Sequence, residues 1–298
     1  VNKRLLILVV TISIVMPSSV ASQRQTPAAN APDVKAAQFA PLERWKLAIL
    51  SGDRATLEKM FSVEPAAVVQ APEGDKTASN EVDFWVARHA AGLKNINLEV
   101  VGVGDERPDL WQIAFQAELL SGKEKGRSSY VIEGQIWAKQ GTDWKIVGVR
   151  RAALTKLQQP TSKGADLYGR SADAHAEIKQ ALARAKVGHK RLLVVFGADW
   201  CYDCHVLDKA FHRPDVAPTL DANFEVVHID IGKGDLNQDL MNDYQVPMER
   251  GIPAIAVLDD TGTLLFSQRG GEFESARSLG PDDILAFLDK WKPSVTKN

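Results

Sequence analysis

Cys201 and Cys204 are the only cysteines in the chain, and they stand three positions apart. The apolar run Leu192-Leu193-Val194-Val195-Phe196 comes just before them. No polar residue interrupts it, so Arg191 to Ala198 reads as a strand buried on both faces. A helix is predicted from Tyr202 to about Phe211. Two thiols at this spacing close a disulfide if a helix begins at the first of them. There the free backbone N–H groups and the positive end of the helix dipole stabilise a thiolate on the first sulfur. Strand, turn and helix are thereby fixed around one pair of sulfurs, and redox chemistry at Cys201 and Cys204 is the leading reading.

Three other readings stand beside it. Cys201-Tyr202-Asp203-Cys204-His205 is also the attachment pattern of c-type haem, with His205 as one axial ligand and Met241 or Met248 opposite. Zinc held by Cys201, Cys204, His205 and His212 lacks a second C-x-x-C or H-x-x-x-H to complete a conventional four-ligand set. A purely structural disulfide would close so short a loop that it removes little entropy from the unfolded chain. The redox reading itself calls for no metal and no cofactor.

With 298 residues the chain is long enough for two ordinary domains, and a formal charge of −2 gives no basic field for nucleic acid. Lys3 and Arg4, the apolar run Leu5 to Met16, and small residues at Ser19 and Ala21 read as a signal peptide over 1–21. The run is shorter than the ~20 residues that span a bilayer. Val1 at the first position fits a non-AUG start and a bacterial source. Export to the periplasm or outside the cell places the cysteine pair where disulfides persist. Residues 22–39 carry Pro27 and Pro32 without apolar periodicity and read as a disordered tether.

Residues 40–156 form the first expected domain. Leu42, Trp45 and Ile49 recur at helical spacing behind Pro41, and Ser51-Gly52-Asp53 separates this helix from a second over Ala55 to Phe61. Asn80 is the expected cap of a third helix reaching about Ala91. Strands follow at Asn95 to Gly104, Leu110 to Leu120, Ser128 to Ala138 and Trp144 to Ala153; the second alternates Trp111, Ile113, Phe115, Ala117 and Leu119 with Gln112, Ala114, Gln116 and Glu118. Helix, Ser51-Gly52-Asp53, helix and a closing strand Trp144-Lys145-Ile146-Val147-Gly148-Val149-Arg150 resemble the nuclear-transport-factor-2-like (SnoaL-like, cystatin-like) domains. That resemblance implies an α+β cone, a curved antiparallel sheet with helices. The fold hosts isomerases, hydratases and binding modules, so it does not set a function. Asp83, His89 and Glu133 are candidates to face the cone interior, although nothing pairs a base with a partner at recognisable spacing. Five tryptophans (Trp45, Trp85, Trp111, Trp137, Trp144) read mainly as core. A small ligand or a protein partner is the expected occupant if this domain binds anything.

Leu157-Gln158-Gln159-Pro160-Thr161-Ser162-Lys163-Gly164-Ala165 is polar and carries both breakers, which puts a linker at 157–171 and a second domain at 172–295. Helix, strand, C-x-x-C helix, the strand Phe224 to Asp230, a helix over Leu236 to Tyr244, a strand pair around Asp260-Thr261-Gly262 and a last helix from Pro281 follow in order. Together with Ala198-Asp199-Trp200-Cys201-x-x-Cys204 and Arg250-Gly251-Ile252-Pro253-Ala254, this resembles the α/β thioredoxin fold, and most of all the C-terminal domains of the membrane thiol:disulfide interchange proteins and their periplasmic reductase relatives. The resemblance implies that Cys201 attacks, Cys204 resolves, and Pro253 is a cis-proline. It also implies that Trp200, Ile252 and Pro253 meet substrate. Implied partners are disulfide-containing proteins and a membrane thiol carrier as electron donor.

Two departures from that pattern stand out. Val195 occupies the position of the family's buried acid, six residues before Cys201, and Val226 and Val227 occupy the strand of its basic partner. Asp199 is the expected partial substitute. Between the cysteines, Tyr202-Asp203 puts a negative charge beside a thiolate. That charge raises the thiol's pKa, stabilises the disulfide, and favours a reductase over an oxidase. His205 reads as a surface residue that, when protonated, opposes Asp203. The rival class is a binding protein whose first domain carries the function, with the redox fold as scaffold.

Overall fold

A computed structural model describes residues 39–122, 127–161, 166–169 and 173–294. The expected signal peptide and all of the expected tether except Phe39 lie outside the described residues.

Helix α1 (Ala40–Ser51) buries Leu42, Trp45, Ala48 and Ile49 and ends at Gly52, which has φ +68°. Glycine is required there twice over. The left-handed backbone disfavours a Cβ, and a Cβ would sit 2.6 Å from the His89 ring. Asp53 caps α2 (Arg54–Met60) through the Thr56 N–H. A short hairpin, β1 (Val68–Ala71) and β2 (Gly74–Lys76), follows and was not legible in the sequence. Helix α3 (Ala78–Ala90) is capped by Thr77, not by Asn80: Asn80 is the third residue of the helix and closes a reciprocal capping box with Thr77.

Strands β3 (Leu93–Arg107), β4 (Leu110–Ser121), β5 (Ser128–Gln140) and β6 (Asp143–Arg151) complete one sheet in the order β2-β1-β6-β5-β4-β3. Successive long strands are antiparallel, and β1 runs parallel to β6. Breaks of register between Val100 and Gly102, Val103 and Asp105, and Ile136 and Trp137 bend this sheet. Its core holds Trp45, Trp85, Phe115, Trp137 and Ile146, each buried to about 1% exposure or less. Phe39 stacks on Trp111 at 4.7 Å between ring centroids and meets Trp137 and Trp144 edge-on.

The second sheet runs β10-β9-β7-β8. Helix α4 (Ala174–Gly188) leads into β7 (Arg191–Gly197), then α5 (Tyr202–Phe211), α6 (Ala217–Asn223) and β8 (Phe224–Asp230). After these come α7 (Gln238–Asp243), β9 (Ala254–Leu258), β10 (Leu264–Ser267) and α8 (Pro281–Trp291). β7 pairs in parallel with β8 and antiparallel with β9. Its unbroken apolar run has a direct cause. Leu193 and Val195 join one core with Val206, Leu207, Ile284 and Leu288, while Leu192, Val194 and Phe196 join another with Ile178, Ala181 and Leu240. Successive side chains of a strand point to opposite faces, and both faces are covered by helices.

The segment read as a linker does more than connect. Leu157 is fully buried in the second sheet's core, and just before the segment Thr155 exchanges backbone hydrogen bonds with Tyr130 at 2.6 and 2.7 Å. Tyr168 is also fully buried.

Candidate active site

β7 ends at Gly197 and delivers Cys201 to the N-cap of α5, where its backbone is extended. The Cys204 N–H donates to Cys201 Sγ at 3.1 Å, the contact a helix N-terminus offers to an acceptor in the capping position. The two sulfurs are joined in a disulfide, with Cα atoms 5.3 Å apart. Cys201 is 5% exposed and Cys204 1%. The Ile252–Pro253 peptide bond is cis, and the Ile252 carbonyl oxygen lies 3.6 Å from Cys201 Sγ. Beside the pair, Trp200 is 61% exposed, its indole N–H donating to the Gly232 carbonyl at 2.7 Å.

Asp203 behaves differently from the sequence reading. Its carboxylate is 7% exposed and accepts hydrogen bonds from the Arg277 backbone N–H (2.9 Å) and the Arg277 guanidinium (3.0 and 3.1 Å from Nε). Arg277 also lies over the Tyr202 ring at 4.9 Å. The charge expected to oppose a thiolate is therefore paired within the site. Tyr202 is partly exposed, and its hydroxyl donates to Gln159 Oε1.

His205 is not a surface residue. It is 9% exposed, and its Nε2–H donates to the Asp199 carbonyl at 2.8 Å. Both sulfurs lie in the disulfide, His205 is turned to that carbonyl, and Met241 is buried in the other-face core. Among the described residues no group of three or more His, Cys, Asp or Glu is placed to hold a metal ion.

Asp199 is hydrogen-bonded to backbone. Its Oδ1 accepts from the Leu167 and Tyr168 backbone N–H groups, both at 2.9 Å, and so pins that segment against the motif. Tyr168, Cys201 and Cys204 form one buried cluster, with Leu167 and Ile252 packed around it. In strand register Val195 faces His228 of β8, a ring the sequence reading passed over for Val226 and Val227. His228 stacks edge-on against Tyr168 at 5.3 Å. Burial holds its pKa below the ordinary imidazole range, against the opposing pull of Asp208.

In the first sheet, the candidate Asp83 is exposed and ion-paired with Arg54. His89 packs against Gly52. Glu133 is buried, as expected of a residue facing the cone interior, and accepts from Gln135 Nε2 at 2.6 Å. Two partners were missed: Glu81, 1% exposed, and Arg151, whose Nε donates to both Glu81 oxygens at 3.1 and 3.2 Å. Burial, and then the neighbouring Glu81, push the Glu133 pKa well up. Trp85 Nε1, Gln116 Oε1 and Glu133 Oε2 are buried without a hydrogen-bond partner.

Residues 173–260 match a family model described as thioredoxin-like. The chain is 27% identical over 161 residues to the thiol:disulfide interchange protein DsbD 2 of Pseudomonas aeruginosa, a match covering 53% of this chain and 25% of that protein. It thus spans a quarter of the length of that curated relative. A solved disulphide isomerase from Xylella fastidiosa is 39% identical, the match covering 42% of this chain and 96% of that one, with a TM-score of 0.41. A solved NTF2-like protein from Rhodospirillum rubrum is 20% identical over 38% of this chain and 95% of that one, with a TM-score of 0.32. The strand order, the C-x-x-C helix and the family match agree: the second domain of this chain is thioredoxin-like, and it follows an α+β domain whose long strands are antiparallel.

Proposed function

We propose that this protein is an exported thiol–disulfide oxidoreductase that reduces protein disulfides through Cys201 and Cys204. The observation that carries the reading is the disulfide at the N-cap of α5, with the Cys204 N–H on Cys201 Sγ and the Ile252 carbonyl against the same sulfur. In the dithiol form that N–H and the helix terminus favour a thiolate at Cys201. The thiolate attacks a substrate disulfide, one substrate sulfur leaves as a thiolate, and a mixed disulfide forms. Cys204 then attacks Cys201 Sγ, releases the second substrate thiol and leaves Cys201–Cys204 oxidised. Ile252, Pro253 and the exposed Trp200 are the surface on which an extended substrate segment would lie.

The reductive direction draws support from the acids around the pair. Asp199, Asp208 and Asp230 all act on Tyr168, which packs against both cysteines. Negative surroundings raise the cost of a thiolate, favour the disulfide and lower the reduction potential. Pairing of Asp203 with Arg277 removes Asp203 from that sum. An exported reductase must be recharged, and a membrane thiol carrier is the electron donor this chemistry requires. Equilibration in glutathione buffers tests the direction. A potential nearer about −270 mV, the thioredoxin value, than about −120 mV, that of a strong oxidant, is expected. Cys204→Ala should accumulate substrates linked to Cys201, and absence of any mixed disulfide would sink the exchange reading.

A second role for the first domain has its own observation. The buried Glu81–Arg151–Glu133 group, with unpartnered Gln116 Oε1, is the chemistry of a small polar ligand site. Thermal shift of the whole chain against a panel of polar metabolites tests it.

A further inference from the structure

The thioredoxin-like domain has no acid at Val195 to manage the proton of its second cysteine, yet one buried hydroxyl lies at that cysteine without any partner. Tyr168 is fully buried, and its Oη makes no hydrogen bond. A Cβ on Gly197 would stand 2.2 Å from that oxygen and 2.9 Å from Cys204 Sγ, so the hydroxyl and the sulfur both crowd the same face of Gly197. Glycine at 197 is what lets the hydroxyl sit there. The Tyr168 backbone is fixed by Asp199, and its ring is fixed by His228.

An unpartnered buried hydroxyl costs stability, so its retention calls for a state in which it is paired. In the disulfide, Cys204 Sγ is a weak acceptor already bonded to Cys201. In the dithiol it becomes a thiol and, during resolution, a thiolate, which is a strong one. Building on the exchange reading above, we infer that Tyr168 donates its hydroxyl hydrogen bond to the Cys204 sulfur in the reduced protein and supports the Cys204 thiolate in the resolving step. In that step the Cys204 thiolate attacks Cys201 Sγ. The Cys201–substrate bond breaks, the Cys201–Cys204 bond forms, and the substrate sulfur leaves as a thiolate. It takes up a proton equivalent to the one Cys204 released to water. Tyr168 keeps its own proton throughout.

The groups facing Tyr168 agree with a donor role. Asp199 from the loop after β7, Asp208 from α5 and Asp230 from β8 bear on it electrostatically, and His228 from β8 packs on its ring. Burial, reinforced by these carboxylates, holds the phenol in its protonated form.

The test is stopped-flow reaction of the reduced full chain with 5,5′-dithiobis(2-nitrobenzoate). Attack by Cys201 releases a first thionitrobenzoate, and resolution by Cys204 releases a second. In Tyr168→Phe the first phase should keep its wild-type rate, which also reports a folded site. The second should slow on the order of tenfold, the worth of one hydrogen bond to a charged acceptor. A second phase at the wild-type rate, or equal slowing of both phases, overturns the inference while leaving the exchange reading intact. A wild-type chain that releases no second thionitrobenzoate overturns the exchange reading, and this inference with it. Independently of any variant, the ¹³Cζ resonance of Tyr168 in the wild-type chain should shift between disulfide and dithiol forms, and an identical resonance in both refutes the pairing.

Discussion

Arg277→Met isolates the electrostatics of the site. The guanidinium is the only side chain bonded to Asp203 among the described residues, and its removal leaves the carboxylate with one backbone N–H at 2.9 Å. A hydrogen-bonded charge pair is worth about 1.5–3 kcal/mol when buried. The Arg277 side chain is 56% exposed against 9% for the Asp203 side chain, so solvent screens the pair and about 1–2 kcal/mol is the proper expectation. For a chain of 298 residues that lowers Tm by roughly 2–3 °C. The unpaired carboxylate also acts on Cys201. Asp203 sits between two cysteines whose Cα atoms are 5.3 Å apart, so a separation of ~7 Å from the sulfur and an effective dielectric of ~40 give about 1 kcal/mol against the thiolate. Since 30 mV corresponds to about 1.4 kcal/mol for this couple, the reduction potential should fall by up to ~20 mV. Equilibration in glutathione buffers, followed by the fluorescence of the chain, reads the change. The double variant Asp203→Asn/Arg277→Met should return the potential to the wild-type value. A potential that stays or rises in Arg277→Met while Tm falls would refute the reasoning, because the pair would then be a structural clip with no electrical bearing on the cysteines.

Gly197→Ala should destabilise the domain by 1–3 kcal/mol, since a Cβ meets Tyr168 Oη at 2.2 Å and Cys204 Sγ at 2.9 Å; denaturant unfolding of disulfide and dithiol forms measures it. Glu133→Gln should match the wild type near pH 4 and exceed its stability progressively as pH rises. A folded-state pKa raised above 4.5 means the native chain binds more protons than the unfolded one, so wild-type stability falls with pH through that window; thermal melts across pH decide it. For His228 the sign is opposite. Its folded pKa lies below 6.5, so its neutral form contributes stability that is lost as pH falls from 6.5 through the folded value, and His228→Gln should flatten that part of the profile.

What the sequence disclosed and what it withheld divide along the range of the interactions. α5 and β8 have the bounds read from the sequence because an apolar run and a helix start are local signals. The Asp203–Arg277 pair joins residues 74 apart and Arg151–Glu81 residues 70 apart, and no local period marks either. The sequence therefore shows Asp203 only as a charge beside a thiolate, and nothing in it singles out Glu81. The hairpin β1–β2 is too short for alternation to register, and α6 carries Pro218, which suits a first turn but reads as a breaker. His205 was misjudged for a related reason. Its position on α5 could be counted, but the Asp199 carbonyl that receives its Nε2–H depends on how the chain turns between β7 and α5.

The same distinction explains why Tyr168 escaped notice. A stretch of Gln, Pro, Ser, Lys and Gly has the composition of a linker, and composition registers the average residue rather than the exceptional one. Within it, Leu157 and Tyr168 are fully buried, and Gln159 is nearly so. Asp199 fixes the geometry there: one carboxylate oxygen two residues before Cys201 holds the backbone of both Leu167 and Tyr168. The acid that looked like a stand-in for the missing one at Val195 therefore acts one step removed, as the anchor of a hydroxyl. A neutral phenol, unlike a carboxylate, adds no charge to a site already ringed by Asp199, Asp208 and Asp230. Among these acids another buried carboxylate beside Cys204 would raise the cost of its thiolate, whereas a donor lowers it.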